Sequence, residues 1–144
     1  MQKRPKKCLF CEAAGKKDDA QTGLLYRGKT CFILLNTFPY STGHLMIAPY
    51  RHIPDFSRIS AAEAKEIMEL VKKSITCLKK AMYPDGFNLG VNLGKVAGAG
   101  VIGHLHIHIV PRWQGDTNFM PVIGETKVLP ESLKETYKKL KQNL

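Results

Sequence analysis

The chain has 144 residues, of which 44% are hydrophobic, enough for one domain to bury a core without disulfides. No apolar stretch approaches the roughly 20 residues a bilayer span needs. The basic segment Met1–Lys7 is not followed by the apolar core of a signal peptide, so a soluble, cytoplasmic protein with no membrane partner is expected. The formal net charge is +10, which attracts polyanions without naming one. Much of it lies in Lys3, Arg4, Lys6 and Lys7 and in Lys134, Lys138, Lys139 and Lys141, as expected of solvated terminal arms. No nucleic-acid-binding motif accompanies it, so no specific nucleic-acid partner is expected. Four cysteines are too few and too unevenly placed for a disulfide scaffold. Cys31 and Cys77 read as small buried hydrophobes.

In chain order, Gly23–Arg27 and Thr30–Leu35 read as strands joined at Gly28-Lys29. Residues 39–43 form a loop, His44–Ala48 a third strand and Arg51–Phe56 a connection. Ser60 and Glu63 make a capping box for a long helix. Its apolar stripe is Ala64, Ile67, Met68, Val71, Ile75, Leu78 and Met82, and Pro84-Asp85-Gly86 ends it. Phe87–Leu93 and Leu105–Val110 read as two more strands. The Gly94–Gly103 stretch between them holds four glycines, a loop built for unusual backbone angles or close ligand approach. Residues 112–127 read as polar and irregular. Pro130 opens a short C-terminal helix with Leu133, Tyr137 and Leu140 on one face. The sum is an α+β fold: an antiparallel five-stranded sheet, one long helix and a short C-terminal helix. Nothing divides residues 1–144 into more than a single domain.

The chemistry concentrates in Gly103-His104-Leu105-His106-Ile107-His108-Ile109-Val110-Pro111-Arg112. On a strand, alternate side chains share a face. His104, His106 and His108 therefore point one way as an exposed platform, and Leu105, Ile107 and Ile109 point into the core. Three alternating histidines are hard to explain as structural. His-x-His on a strand suits a metal. A neutral imidazole can also attack phosphorus while a neighbour donates to phosphate oxygens.

The pattern His-φ-His-φ-His-φ-φ, with φ apolar, resembles the signature of the histidine-triad (HIT) nucleotide hydrolases and transferases. Leu34-Leu35-Asn36, Pro39, Gly43-His44-Leu45-Met46-Ile47-Ala48-Pro49 and His52-Ile53 are similar to the family's ribose-side strand and following loop. Asn88–Gly98 is similar to its penultimate strand and Gly-rich turn. The resemblance implies a HIT-like fold and an enzyme acting on a small nucleotide substrate. It makes His106 the nucleophile that forms a nucleotidyl-histidine intermediate. His108 hydrogen-bonds the phosphate, His44 orients His106, Asn36 contacts ribose and Asn92 lies near the phosphate. The family often carries a Ser or Thr hydroxyl shortly before the triad, where this chain has Gly98-Ala99-Gly100-Val101-Ile102-Gly103. Backbone N–H groups at Gly98 and Gly100 are the expected substitute.

Cys8-Leu9-Phe10-Cys11 alone signals metal or redox chemistry. A redox motif would need a strand before it, and a basic tail stands there instead. The resemblance implies a structural zinc on Cys8, Cys11, His52 and His104, making residues 1–12 a zinc-binding segment. It also implies a homodimer, with Ala61–Met82 as one candidate contact. The tail and helix of residues 113–144 resemble the branch containing diadenosine tetraphosphate phosphorylases. There Trp113 would wall the site, and Arg112, Lys127 and Lys95 would neutralise a polyphosphate. The leading expectation is cleavage of a dinucleoside polyphosphate at the alpha-phosphate, with phosphate favoured over water as acceptor. A nucleoside phosphoramidate hydrolase, a nucleotide-binding regulator with little turnover and a catalytic metal site on the triad are the rivals.

Overall fold

A computed structural model describes residues 8–37, 39, 41–101, 103–116 and 131–144. Five strands form one antiparallel sheet: β1 (Leu24–Arg27), β2 (Cys31–Leu35), β3 (Leu45–Pro49), β4 (Gly86–Gly90) and β5 (Ile107–Arg112), in the order β1-β2-β3-β5-β4. The helices are α1 (Leu9–Gly15), α2 (Asp19–Thr22), α3 (Ala61–Met82) and α4 (Leu133–Gln142). Among the described residues, no helix is long and apolar enough to cross a membrane.

Strand alternation sorts the sheet into two buried faces. Leu25, Ile33, Leu35, Leu45, Ile47, Ile107 and Ile109 pack with α3 and with Leu140 of α4. Leu24, Phe32, Leu34, Met46 and Ala48 pack instead against Phe10, Cys11 and Ala13 of α1. The second layer departs from the expectation of an exposed histidine platform. With seven residues, α1 is too short to show helical periodicity in sequence, and its N-cap is Cys8, which makes no side-chain capping bond.

The long helix starts as expected. The Ser60 hydroxyl accepts from the Glu63 N–H, and the Glu63 carboxylate accepts from the Ser60 N–H. The helix ends at Met82, with Tyr83 in the left-handed region at φ 51°. Its buried stripe is Ile67, Leu70, Val71, Ser74, Cys77 and Leu78. Met68, placed on that stripe from sequence, is 66% exposed. Cys31 and Cys77 are buried as expected. Because the stripe faces this chain's own sheet, a subunit contact at the candidate segment Ala61–Met82 would use the helix's other faces.

Two strands differ in extent from the sequence reading. The fourth ends at Gly90, not Leu93, because Gly90 already pairs with His108 near the beginning of β5. The fifth starts at Ile107, not Leu105. The Leu105 N–H is drawn to the Ile53 carbonyl at 2.7 Å, turning the chain away from β4. At the C-terminus, Ser132 caps α4 by accepting from Glu135 N–H. Pro130, expected to open that helix, lies outside the described residues, as do the basic arm of residues 1–7 and residues 117–130.

Candidate active site and adjoining candidate metal centre

The sheet register assembles the histidines. Met46 on β3 lies opposite His108 on β5. His44, two residues before Met46, projects from the same face and lies diagonally across from His108. His44 Nε2 is 2.8 Å from His108 Nδ1. Asn36 follows β2 and pairs with His44 across the β2–β3 connection: its N–H donates to the His44 carbonyl at 3.0 Å. Its side-chain Nδ2 lies 3.3 Å from His44 Nδ1. An amide nitrogen only donates, so His44 Nδ1 accepts and His44 Nε2–H donates to His108 Nδ1. That order leaves the His108 ring proton on Nε2. The sequence reading paired His44 with His106; the hydrogen bond runs to His108 instead.

His106 is oriented by the main chain. Its Nδ1 lies 2.9 Å from the His104 carbonyl oxygen. A carbonyl only accepts, so the His106 proton is on Nδ1 and the lone pair on Nε2. His106 is 5% exposed, which corrects the expectation of a surface imidazole. The Phe10 ring covers it at a centroid distance of 4.7 Å, and the His108 ring stands edge-on at 4.8 Å. Burial lowers the pKa of His106, opposed by the hydrogen bond to His104. Burial pushes His108 down to about 4, and positive charge on His106 would push the same way. Both rings are therefore neutral near pH 7, the state a nucleophilic imidazole needs.

His104 joins a second constellation. Its Nε2–H donates to the Pro49 carbonyl at 2.8 Å, which leaves its Nδ1 as the ligand atom. That Nδ1 is 3.3 Å from Cys8 Sγ, 3.5 Å from Cys11 Sγ and 3.0 Å from His52 Nδ1. Cys11 Sγ is 3.4 Å from His52 Nδ1. The four ligand atoms all lie within 4.8 Å of one another. A tetrahedral ion with bonds of about 2.0–2.3 Å spaces its ligands roughly 3.3–3.8 Å apart, so this Cys2His2 cluster can hold a metal ion. The bond from His104 Nε2–H to the Pro49 carbonyl is the kind that fixes the orientation of a ligating imidazole. Gly103 packs beside it, with φ at 85°, and a Cβ there would meet His52 Nε2 at 3.3 Å.

The Gly-rich loop brings Asn92 and Gly98 together: a Cβ on Gly98 would lie 3.9 Å from Asn92 Nδ2. The Gly98 N–H, expected to serve a phosphate, closes the turn on the Lys95 carbonyl at 3.0 Å. Gly100 and Lys95 are exposed on the same loop. Trp113 and Arg112 lie elsewhere. Arg112 pairs with Gly86 at the far end of β5, about 20 Å from His106 at strand rise. Its guanidinium bonds Asp116 and Asn88. The Trp113 indole N–H donates to the Met82 carbonyl at the end of α3. Lys127 lies outside the described residues. Phe10 is the site residue that sequence reasoning missed, although its place between Cys8 and Cys11 marks it.

The His108 ring is expected to titrate near pH 4 when its NMR resonances are followed. An unfolded imidazole titrates near about 6.5. The stability His108 gains by staying neutral is therefore complete above about pH 6.5 and is lost as pH falls towards about 4. A folded midpoint at the unfolded value would contradict the buried Asn36–His44–His108 arrangement.

Comparison with known proteins agrees with this geometry. The HIT domain model matches residues 17–115. A protein named AP-4-A phosphorylase from Mycobacterium tuberculosis is 42% identical over 118 residues, 82% of this chain and 60% of that relative. This chain thus spans 60% of that relative's length. An uncharacterised HIT-like protein of Methanocaldococcus jannaschii is 34% identical over 130 residues, covering 89% of this chain and 97% of its own length. The crystal structure of a hypothetical histidine triad nucleotide-binding protein from Sulfolobus tokodaii superposes with a TM-score of 0.72 at 29% identity, over 94% of this chain and 88% of that one. Sheet order, histidine placement and family match agree: the chain belongs to the HIT family.

Proposed function

We propose that this chain cleaves dinucleoside polyphosphates such as diadenosine tetraphosphate at the alpha-phosphate and passes the nucleotidyl group to inorganic phosphate. One observation carries the reading: the His104 carbonyl fixes the His106 proton on Nδ1 and leaves Nε2 with its lone pair. The name and 42% identity of the mycobacterial relative support the substrate and the acceptor.

In this mechanism His106 Nε2 attacks the alpha-phosphorus. The bond from phosphorus to the bridging oxygen breaks, and a nucleoside polyphosphate leaves. His108, held through His44 and Asn36, donates its Nε2–H to a phosphate oxygen. A phosphate oxygen then attacks the same phosphorus, releases His106 and yields a nucleoside diphosphate. The covalent step divides one difficult displacement into two easier ones, and preset donors stabilise developing charge. Asn92, beside Gly98, is assigned to the phosphate, and Asn36 to the ribose edge as well as to His44. With diadenosine tetraphosphate and excess phosphate the expected products are ADP and ATP. His106→Ala should lower turnover on the order of 10⁴-fold while remaining folded. AMP and ATP as the sole products would make this chain a hydrolase, and undiminished activity of the variant would remove His106 from the chemistry.

We further propose that the metal at Cys8, Cys11, His52 and His104 is zinc, and that its role is structural. Two thiolates and two imidazoles suit zinc, which ties α1 to the chain entering β5. Elemental analysis should find one zinc per chain, and a chelator should lower the melting temperature. Freshly purified protein without zinc would count against the assignment.

A homodimer through the outer edge of β4, with which no strand pairs among the described residues, fits better than one through the buried stripe of α3. Strand β4 ends the sheet and carries Leu89 at 47% exposure, followed by Leu93 at 43%. Such an edge is open to pairing with a second copy. Sedimentation should give twice the 16.1 kDa chain mass; a single-chain mass at every concentration would exclude the dimer.

A further inference from the structure

We infer that Phe10 is a positioning residue for His106, delivered to the nucleophile by the cysteine-bearing turn of α1. The inference rests on the reading of His106 as nucleophile.

The hydrogen bond from His106 Nδ1 to the His104 carbonyl sets the tautomer. One such bond does not fix the ring plane, because an imidazole can rotate about its Cβ–Cγ bond. Packing on its faces restricts that rotation. Phe10 lies against His106 with an interplanar angle of 31°, and His108 stands at 75° on its flank. The same Phe10 ring meets His104 at 5.2 Å and Phe32 at 6.4 Å. It therefore spans a metal-cluster residue and the nucleophile. Phe10 is 0% exposed, so it acts on His106 without touching a substrate.

The placement of this ring depends on residues that are not catalytic. An isolated seven-residue helix is not stable in water. Cys8 and Cys11 flank Phe10 and both reach His104 Nδ1. The cluster thus anchors the turn on both sides of the ring. Removing the ring opens space beside His106, lets the imidazole swing and lets water compete for its nitrogens. Misplacement of a reacting group by about 1 Å can cost on the order of 100-fold in rate.

The test uses the full chain with its metal. Phe10→Leu keeps an apolar side chain and removes the flat face; Phe10→Tyr keeps the ring. For Phe10→Leu we expect kcat on diadenosine tetraphosphate to fall by about 10- to 100-fold. KM should stay within about twofold, since Phe10 makes no substrate contact. Phe10→Tyr should recover most of kcat. Metal content should match the parent in both. Long-range proton–nitrogen NMR should show His106 as the Nδ1–H tautomer in the parent and as a mixture in Phe10→Leu. Parental kcat and a single tautomer in Phe10→Leu would overturn the inference. Should Phe10→Leu lose metal or unfold, Phe10→Met replaces it, and a parental kcat there overturns the inference equally. A parent chain without turnover refutes the function reading. The tautomer spectrum then decides alone: a mixture in Phe10→Leu supports the role of Phe10, and a single form excludes it.

Discussion

His104 serves two sites at once, and the rest of the arrangement depends on it. Its side chain turns Nδ1 to Cys8, Cys11 and His52, and its backbone carbonyl accepts from His106 Nδ1. A carbonyl cannot rotate independently of its peptide plane. Whatever fixes the His104 side chain therefore also limits where the His106 acceptor lies. The bond from His104 Nε2 to the Pro49 carbonyl and the bond from Leu105 N–H to the Ile53 carbonyl hold the same short segment from the other side. The His106 tautomer is thus a consequence of backbone position.

The two histidine groups also separate two duties. His106 takes its orientation from the main chain, and His108 takes its orientation from His44 and Asn36. Each pair is built on a different junction of the sheet, one at the entry to β5 and one across β3 and β5. Burial keeps both rings neutral, so neither needs a counter-charge to remain in place. The tilted Phe10 ring over His106 excludes water from the same place, and a desolvated site strengthens each hydrogen bond within it.

Much of this was legible in the residues. Strand alternation announced that His106 and His108 share a face, and the Ser60–Glu63 capping box located the start of the long helix. The resemblance grouped Cys8, Cys11, His52 and His104, whose ligand atoms lie within 4.8 Å of one another. The partner of His44 was not legible, because it follows from the pairing of Met46 with His108, a register that local sequence does not encode. The burial of His106 depends on α1, whose seven residues carry no periodic signal. Arg112 and Trp113 have the right chemistry for a polyphosphate pocket, but strand rise separates Arg112 from His106 by about 20 Å, a distance already implicit in their spacing. Arg112 is instead committed to Asp116, and Trp113 to the last turn of α3.

The most direct measurement is the site of the covalent nucleotidyl group. The protein would be mixed briefly with diadenosine tetraphosphate without added phosphate, quenched under alkaline conditions that spare phosphoramidate bonds, and digested. Peptide mass spectrometry would locate the modified histidine, and phosphorus NMR would distinguish its two nitrogens. An adenylyl group on Nε2 of His106 is the expected result. An adduct on Nδ1 or on His108 would contradict it, as would the absence of any adduct in a protein that turns the substrate over.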